Sequence, residues 1–197
     1  MALKAVFFDV GETLVDETRH WTAVAEAVGV PAFTFFAVAG ALIERGVRDH
    51  REVFHELEVD PSALELPPFD EGDFYPDALP CLEALRAAGY VVGVVGNTST
   101  HAEDLLRPYA DVVGSSEGWG VTKPEPRFFS RVVQEAGAAP EEIAYVGDRV
   151  DNDIEPALRA GLAAVHIRRG PWGWLQEPPA QAIRVKGLAE VQEAIGG

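Results

Sequence analysis

The sequence has a single cysteine, Cys81, and only three lysines, Lys4, Lys123 and Lys186. One thiol excludes a disulfide within the chain and fits a reducing compartment. Cations are scarce altogether: 16 Lys and Arg stand against 32 Asp and Glu, for a formal net charge of -16. That excess works against a partner held through its phosphates, as DNA and RNA are, and against an anionic membrane surface. Long hydrophobic runs are missing too. The longest, AFTFFAVAGALI at 32–43, falls short of the ~20 residues that a helix needs to cross a bilayer. The first residues, MALKAVFFDV, run straight into a strand pattern with no small-residue cleavage site, so no signal peptide is expected. The expectation is a cytoplasmic protein with no membrane and no nucleic-acid partner, its protein partners undefined. An enzyme this acidic that handles phosphate needs a metal ion or a few well-placed cations to admit it.

What is present is a series of short, valine-rich apolar runs. LKAVFFD (3–9), YVVGVVGN (90–97), DVVGSS (111–116), EIAYVGD (142–148) and LAAVHIR (162–168) all read as strands buried on both faces. Between them, PDALPCLEALRAAG opens at a proline and closes at a glycine, as a helix does. EPRFFSRVVQEAG follows the same plan, with Phe128, Phe129, Val132, Val133 and Ala136 on one face. Strands alternating with helices predict an α/β domain with a doubly wound parallel sheet. Residues 15–75 interrupt the alternation. They hold no strand pattern, whereas Trp21, Val24, Ala25 and Val28, then Val53, Phe54 and Leu57, recur at helical spacing. The stretch closes in LELPPFDEGDFYP, a proline- and acid-rich boundary loop. The expected organisation is a core of 1–14 and 76–197 with a helical cap of 15–75, which either roofs the carboxyl ends of the strands or only adds packing.

In a doubly wound sheet the ligand lies beyond those carboxyl ends. Asp9 closes the first run, and Asp148, with Asp153 five residues on, closes the fourth. Taken singly, each is as compatible with a turn as with chemistry. Converging, they repel unless one stays protonated or a cation joins them, and Mg²⁺ is the hard cation that carboxylates, waters and phosphate oxygens usually share. Lys123, in GVTKPEPRFF, is either a solvated surface charge or the point charge that steadies a nucleophile and a transferring phosphoryl group.

Together these pieces resemble the haloacid dehalogenase superfamily over nearly the whole chain. FFDVGETL stands where the family has DxDGTL, and VVGNTS stands for its second motif. SSEGWGVTKPEPRFF carries the lysine of the third, and YVGDRVDND matches the GDxxxxD of the fourth. The resemblance implies a Rossmann-like core with strand order 5-4-1-2-3, a helical cap inserted after the first strand, and Mg²⁺. It implies catalysis by Asp9, as a nucleophile forming an aspartyl-phosphate, and by Lys123. It assigns the metal to Asp9, the Gly11 carbonyl, Asp148 and Asp153, and the substrate to Thr13, Asn97, Thr98 and Lys123. The implied activity is hydrolysis of a small phosphorylated metabolite; a degenerate member that only binds such a ligand, or a haloacid dehalogenase, is the alternative.

Two positions depart from the family pattern. Gly11 replaces the Asp that protonates the leaving oxygen and then activates water, help typically worth ~10²–10⁴ in rate. Gly96 replaces a Ser or Thr that hydrogen-bonds the phosphoryl group, a loss that can cost ~10²–10³. Asn97, Thr98 and backbone amides are the available compensation for the second. For the first, Glu12 is adjacent but offset by one residue, and His20, His50, His55 and His101 are scattered without a local spacing that singles one out. Restoring the carboxyl with Gly11→Asp is then expected to raise kcat. Phosphonate-cleaving members use a cap lysine, and residues 15–75 contain none. Haloacid dehalogenases generally lack the acid seen at Asp148. Arg168, Arg169, Trp172 and Trp174, in RRGPWGWLQEPP, either contact the ligand or pack their loop.

Overall fold

A computed structural model describes residues 2–62, 64 and 68–196. Six parallel strands make one sheet: β1 (Ala5–Phe8), β2 (Val91–Gly96), β3 (Val112–Ser115), β4 (Ile143–Gly147), β5 (Ala163–Ile167) and β6 (Ile183–Val185). Their order is β3-β2-β1-β4-β5-β6, which contains the expected 5-4-1-2-3 and adds one strand at the edge. β6 escaped the sequence reading because it is three residues long with Arg184 at its centre, too short for a valine-rich run.

Successive residues of β1 face opposite sides of the sheet, and both sides are covered. Val6 and Phe8 pack with Leu82 and Leu85 of α4 (Ala78–Ala87) and with Val191 and Ile195 of α10 (Val191–Gly196). Ala5 and Phe7 pack with Phe128, Phe129 and Val132 of α7 (Pro126–Ala136) and with Ala157 of α8 (Glu155–Arg159). Both helices expected from punctuation and periodicity are therefore present, with Val133 only partly buried. The short helices α5 (Thr100–Leu106), α6 (Ser116–Trp119) and α9 (Gly170–Leu175) sit in the connections.

Residues 15–75 fold as α1 (Thr18–Ala27), α2 (Ala32–Glu44) and α3 (Glu52–Glu56), closed by a 3₁₀ turn at Glu71–Asp73. Val24, Ala25, Phe35, Leu42, Val53 and Phe54 give these helices a small core of their own. Residues 65–67 of the expected boundary loop lie outside the described residues. Among the described residues no single helix is long and apolar enough to cross a membrane.

The chain runs β1 to β2 to β3 in one direction, then returns to place β4 on the other flank of β1. Phe8 is level with Val94 on one side and Val146 on the other. The carboxyl ends of β1 and β4 thus open at the point where the winding reverses, where doubly wound sheets hold their ligands.

Candidate active site

Asp9 follows the last residue of β1, and its amide still donates to the Val146 carbonyl at 2.9 Å. Asp148 follows β4. The next residues form a single π-helical turn, Val150–Ile154, an irregularity often found at functional sites. That turn carries Asp153 back toward the strand end, where the Arg149 amide donates to its Oδ2 at 3.0 Å. Among the described residues, one carboxylate oxygen from each of Asp9, Asp148 and Asp153 lies within 4.8 Å of the others, and all three residues are buried.

Lys123 completes the cluster. Its Nζ lies 2.6 Å from Asp9 Oδ1 and 2.6 Å from Asp153 Oδ1, with its side chain 1% exposed. Its backbone is fixed by Asn97, whose Nδ2 donates to the Lys123 carbonyl at 3.0 Å and whose Oδ1 accepts from the Lys123 amide at 2.7 Å. Two of the three buried carboxylates, Asp9 and Asp153, share one ammonium. Burial works to discharge Lys123, but Asp153 and Asp9 outweigh it and hold its pKa well above the usual value. Burial, with Asp153 and Asp9 adding, pushes Asp148 well above the carboxylate range. Burial raises Asp153 to about 6 against the pull of Lys123. A buried set of oxygen donors, short of positive charge, suits a hard divalent cation.

A cavity of about 1100 Å³ opens over this cluster. Asp9, Lys123 and Asp148 line it from the sheet side, and His20, Trp21, Arg48 and His50 line it from residues 15–75. The two glycines that depart from the family pattern also face crowded space. A Cβ on Gly96 would come within 2.8 Å of Asp9 Oδ1 and 3.1 Å of Val10 Cγ2. A Cβ on Gly11 would lie 2.6 Å from Glu17 Oε1 and 2.7 Å from Glu17 Cδ.

Residues 3–161 match the model of the haloacid dehalogenase-like hydrolases. The chain belongs to that family. A glyceraldehyde 3-phosphate phosphatase of Methanopyrus kandleri is 42% identical over 104 residues, which is 50% of this chain and 45% of that protein. The chain therefore spans about half the length of that relative. A glyceraldehyde 3-phosphate phosphatase of Pyrococcus furiosus is 27% identical over 88% of this chain and 84% of its own length. The crystal structure of a HAD phosphatase from Thermococcus onnurineus superposes with a TM-score of 0.64 at 25% identity, covering 99% of both chains. The family reading, the hydrolase class and the α/β architecture all stand on these matches together with the sheet.

Not every residue singled out in the sequence of this hydrolase reaches the cavity. Thr13 does not. Its side chain is fully buried away from the cavity, and its carbonyl accepts from Arg169 Nη1 at 2.9 Å. Thr13 is thus enclosed in the wall of the loop that follows Asp9. Asn97 and Thr98 both line the cavity, but the Asn97 amide group is already spent on Lys123. Gly11 lines it as well. Glu12, at a φ of 51°, is held by the Tyr75 hydroxyl, which donates to Oε2 at 2.6 Å, and by the Glu17 amide, which donates to Oε1 at 3.0 Å. His20, His50 and His101 line the cavity, whereas His55 is exposed elsewhere. Trp172 also lines it beneath the Arg149 guanidinium, 4.4 Å from the ring centroid. Arg168 stacks on Trp174 within its own loop, whereas Arg169 pairs with Asp77 and ties its loop to the start of α4 and to the loop of Thr13.

The residue that the sequence reading missed is Glu17. It lines the cavity just before the first turn of α1, and Trp21 Nε1 donates to its Oε2 at 3.2 Å. Burial, with the charges of Glu12 and Asp9 adding, pushes its carboxyl up to about 7. The available signal was the Glu17–Trp21 spacing of four on an amphipathic helix, which turns both side chains to one face.

Proposed function

We propose that the protein is a Mg²⁺-dependent phosphatase acting on a small phosphorylated metabolite. The observation that carries the reading is Lys123 held between Asp9 and Asp153, with Asp148 completing a buried carboxylate cluster at the sheet's switch point. In this reading Asp9 is the nucleophile, and an oxygen of its carboxylate attacks phosphorus to give an aspartyl-phosphate. Lys123, 2.6 Å from Oδ1 of that carboxylate, holds it in place and faces the negative charge that builds on the phosphoryl oxygens. Asp9, Asp148, Asp153 and the Gly11 carbonyl would hold the metal. Bound there, Mg²⁺ would neutralise the carboxylates and screen the incoming phosphoryl group.

Residues 15–75 are the cap of this reading, supported by His20, Trp21, Arg48 and His50 on the wall that faces the carboxylates. Arg48, Arg51 and Arg149 also line the cavity, so an anionic substrate enters past cations despite the acidic chain. The names of the relatives favour a three-carbon aldehyde phosphate as the first substrate to try. The test is release of inorganic phosphate from such esters with and without Mg²⁺. Metal-dependent release that disappears in Asp9→Asn supports the reading. No release from any phosphomonoester by the wild type would refute it and favour a member that only binds its ligand.

A further inference from the structure

Gly11 leaves the position two residues after the nucleophile without the side chain that usually handles protons. The space is nonetheless filled. An ideal Cβ on Gly11 would meet the whole carboxyl group of Glu17, with Oε1 at 2.6 Å, Cδ at 2.7 Å and Oε2 at 3.1 Å. A carboxyl reaching in from the residue just before α1 therefore stands where the first atoms of an aspartate at position 11 would begin. It is held there from two directions: Trp21 Nε1 donates to Oε2, and the Glu17 amide is tied to the Glu12 carboxylate. Glu17 and Asp9 line the same cavity, with Glu12 and Arg149 also on its wall.

We infer that Glu17 is the proton donor and acceptor of the reaction, delivered from the first helix of the cap rather than from the nucleophile's own loop. The inference rests on the phosphatase reading above. In the first half-reaction the bond from phosphorus to the ester oxygen breaks as the bond to Asp9 forms, and the Glu17 carboxylic acid gives its proton to the departing alkoxide. In the second, the Glu17 carboxylate takes a proton from water as the water oxygen attacks phosphorus. The bond to Asp9 breaks, inorganic phosphate leaves, and Glu17 is again protonated for the next cycle. The longer glutamate side chain makes the assignment possible, because its Cα lies outside the loop that bears Asp9.

The geometry also explains why Gly11 is small. An added side chain at position 11 has to displace the Glu17 carboxyl, so Gly11→Asp alone brings a second acid into occupied space instead of supplying a missing one. On the wild-type background that single change should therefore give no gain in kcat.

The test uses the full chain with Mg²⁺, an alkyl phosphate (glycerol 3-phosphate) and an aryl phosphate (p-nitrophenyl phosphate). Glu17→Gln and Glu17→Ala should lower kcat on the alkyl ester by about 10²–10⁴, the usual value of general acid–base help. Release of p-nitrophenolate, which leaves without a proton, should persist as a burst. The variants should then accumulate phosphorylated Asp9, seen by intact-protein mass spectrometry as one added phosphoryl group. Gly11→Asp combined with Glu17→Ala, which empties the space before refilling it, should recover at least tenfold of the loss on the alkyl ester. Circular dichroism shows that each variant is folded, and the double variant keeps the test open if Glu17→Gln alone is not. Wild-type turnover with Glu17→Gln unchanged on the alkyl ester, or with equal losses on both esters and no phosphorylated protein, overturns this inference and leaves the phosphatase reading intact. A wild type that releases phosphate from neither of these esters nor from any other phosphomonoester removes both.

Discussion

Replacing Lys123 with Met keeps most of the stem and removes the cation that, alone among the described residues, is bonded to both Asp9 and Asp153. At 2.6 Å and an effective dielectric of ~20, each contact is a gross attraction of about 6 kcal/mol. Desolvation of the ammonium offsets much of that, so the net loss is judged from buried pairs broken on one side, which cost ~3–5 kcal/mol. Here the abandoned partners are two carboxylates, with Asp148 within 4.8 Å, and proton uptake by one of them is the cheapest relief. For a chain of this size ~3–5 kcal/mol corresponds to a fall in Tm of roughly 6–20 °C. The assay is thermal and urea denaturation at pH 7 in EDTA, followed by circular dichroism. Lys4→Met is the control, because Lys4 pairs with Glu142 at 2.8 Å while its side chain is 64% exposed, and such pairs contribute ~0–1 kcal/mol. Adding Asp153→Asn to Lys123→Met removes one of the stranded charges, so the double variant should be more stable than Lys123→Met alone by more than ~1 kcal/mol. A Lys123→Met protein within about 1 kcal/mol of the wild type would refute the reasoning, as would strictly additive losses.

Mg²⁺ should raise the wild-type Tm: at 100-fold over Kd the native state gains ~2.7 kcal/mol, and Asp148→Asn should abolish the shift measured by scanning fluorimetry. Gly96→Ala should cost ~1–3 kcal/mol in urea denaturation and lower turnover, because its methyl group would press on Asp9 Oδ1 and Val10; unchanged activity would mean that Asp9 has room to move. The hydrogen bond from Arg19 Nε to Asp73, at 2.7 Å, holds that carboxyl below the usual range. A depressed carboxylate stabilises the fold above its unfolded pKa and loses that contribution as pH falls through the folded value. Asp73→Asn should therefore lower Tm at pH 7 and converge with the wild type in acid, whereas a constant difference across pH would exclude the charge as the cause.

The strands were legible in the sequence because their signal is local. Each central strand is buried on both faces, so its residues form a continuous apolar run, and the chain must end that run where the backbone leaves the sheet. That is why Asp9 and Asp148 could be put at strand ends, and why β6, a three-residue edge strand with a central arginine, could not be seen. Helical spacing made α1 and α3 legible in the same local way, whereas α2 stood out in the sequence only as an apolar run. Their order along the chain also carried Lys123 and the three aspartates into one family pattern.

Tertiary structure decided what the local signals leave open. Asn97 proved to hold the Lys123 backbone, and Thr13 proved to be enclosed, because both depend on how separate loops pack. The largest difference lies at Gly11. Sequence alone shows a glycine and hence an absence. Only the folded chain shows that Glu17, six residues on and at the foot of α1, brings its carboxyl into that space. A side chain's type is written at its own position, but the space it fills is set by the path of the backbone between two elements, and that path follows from the packing of the whole.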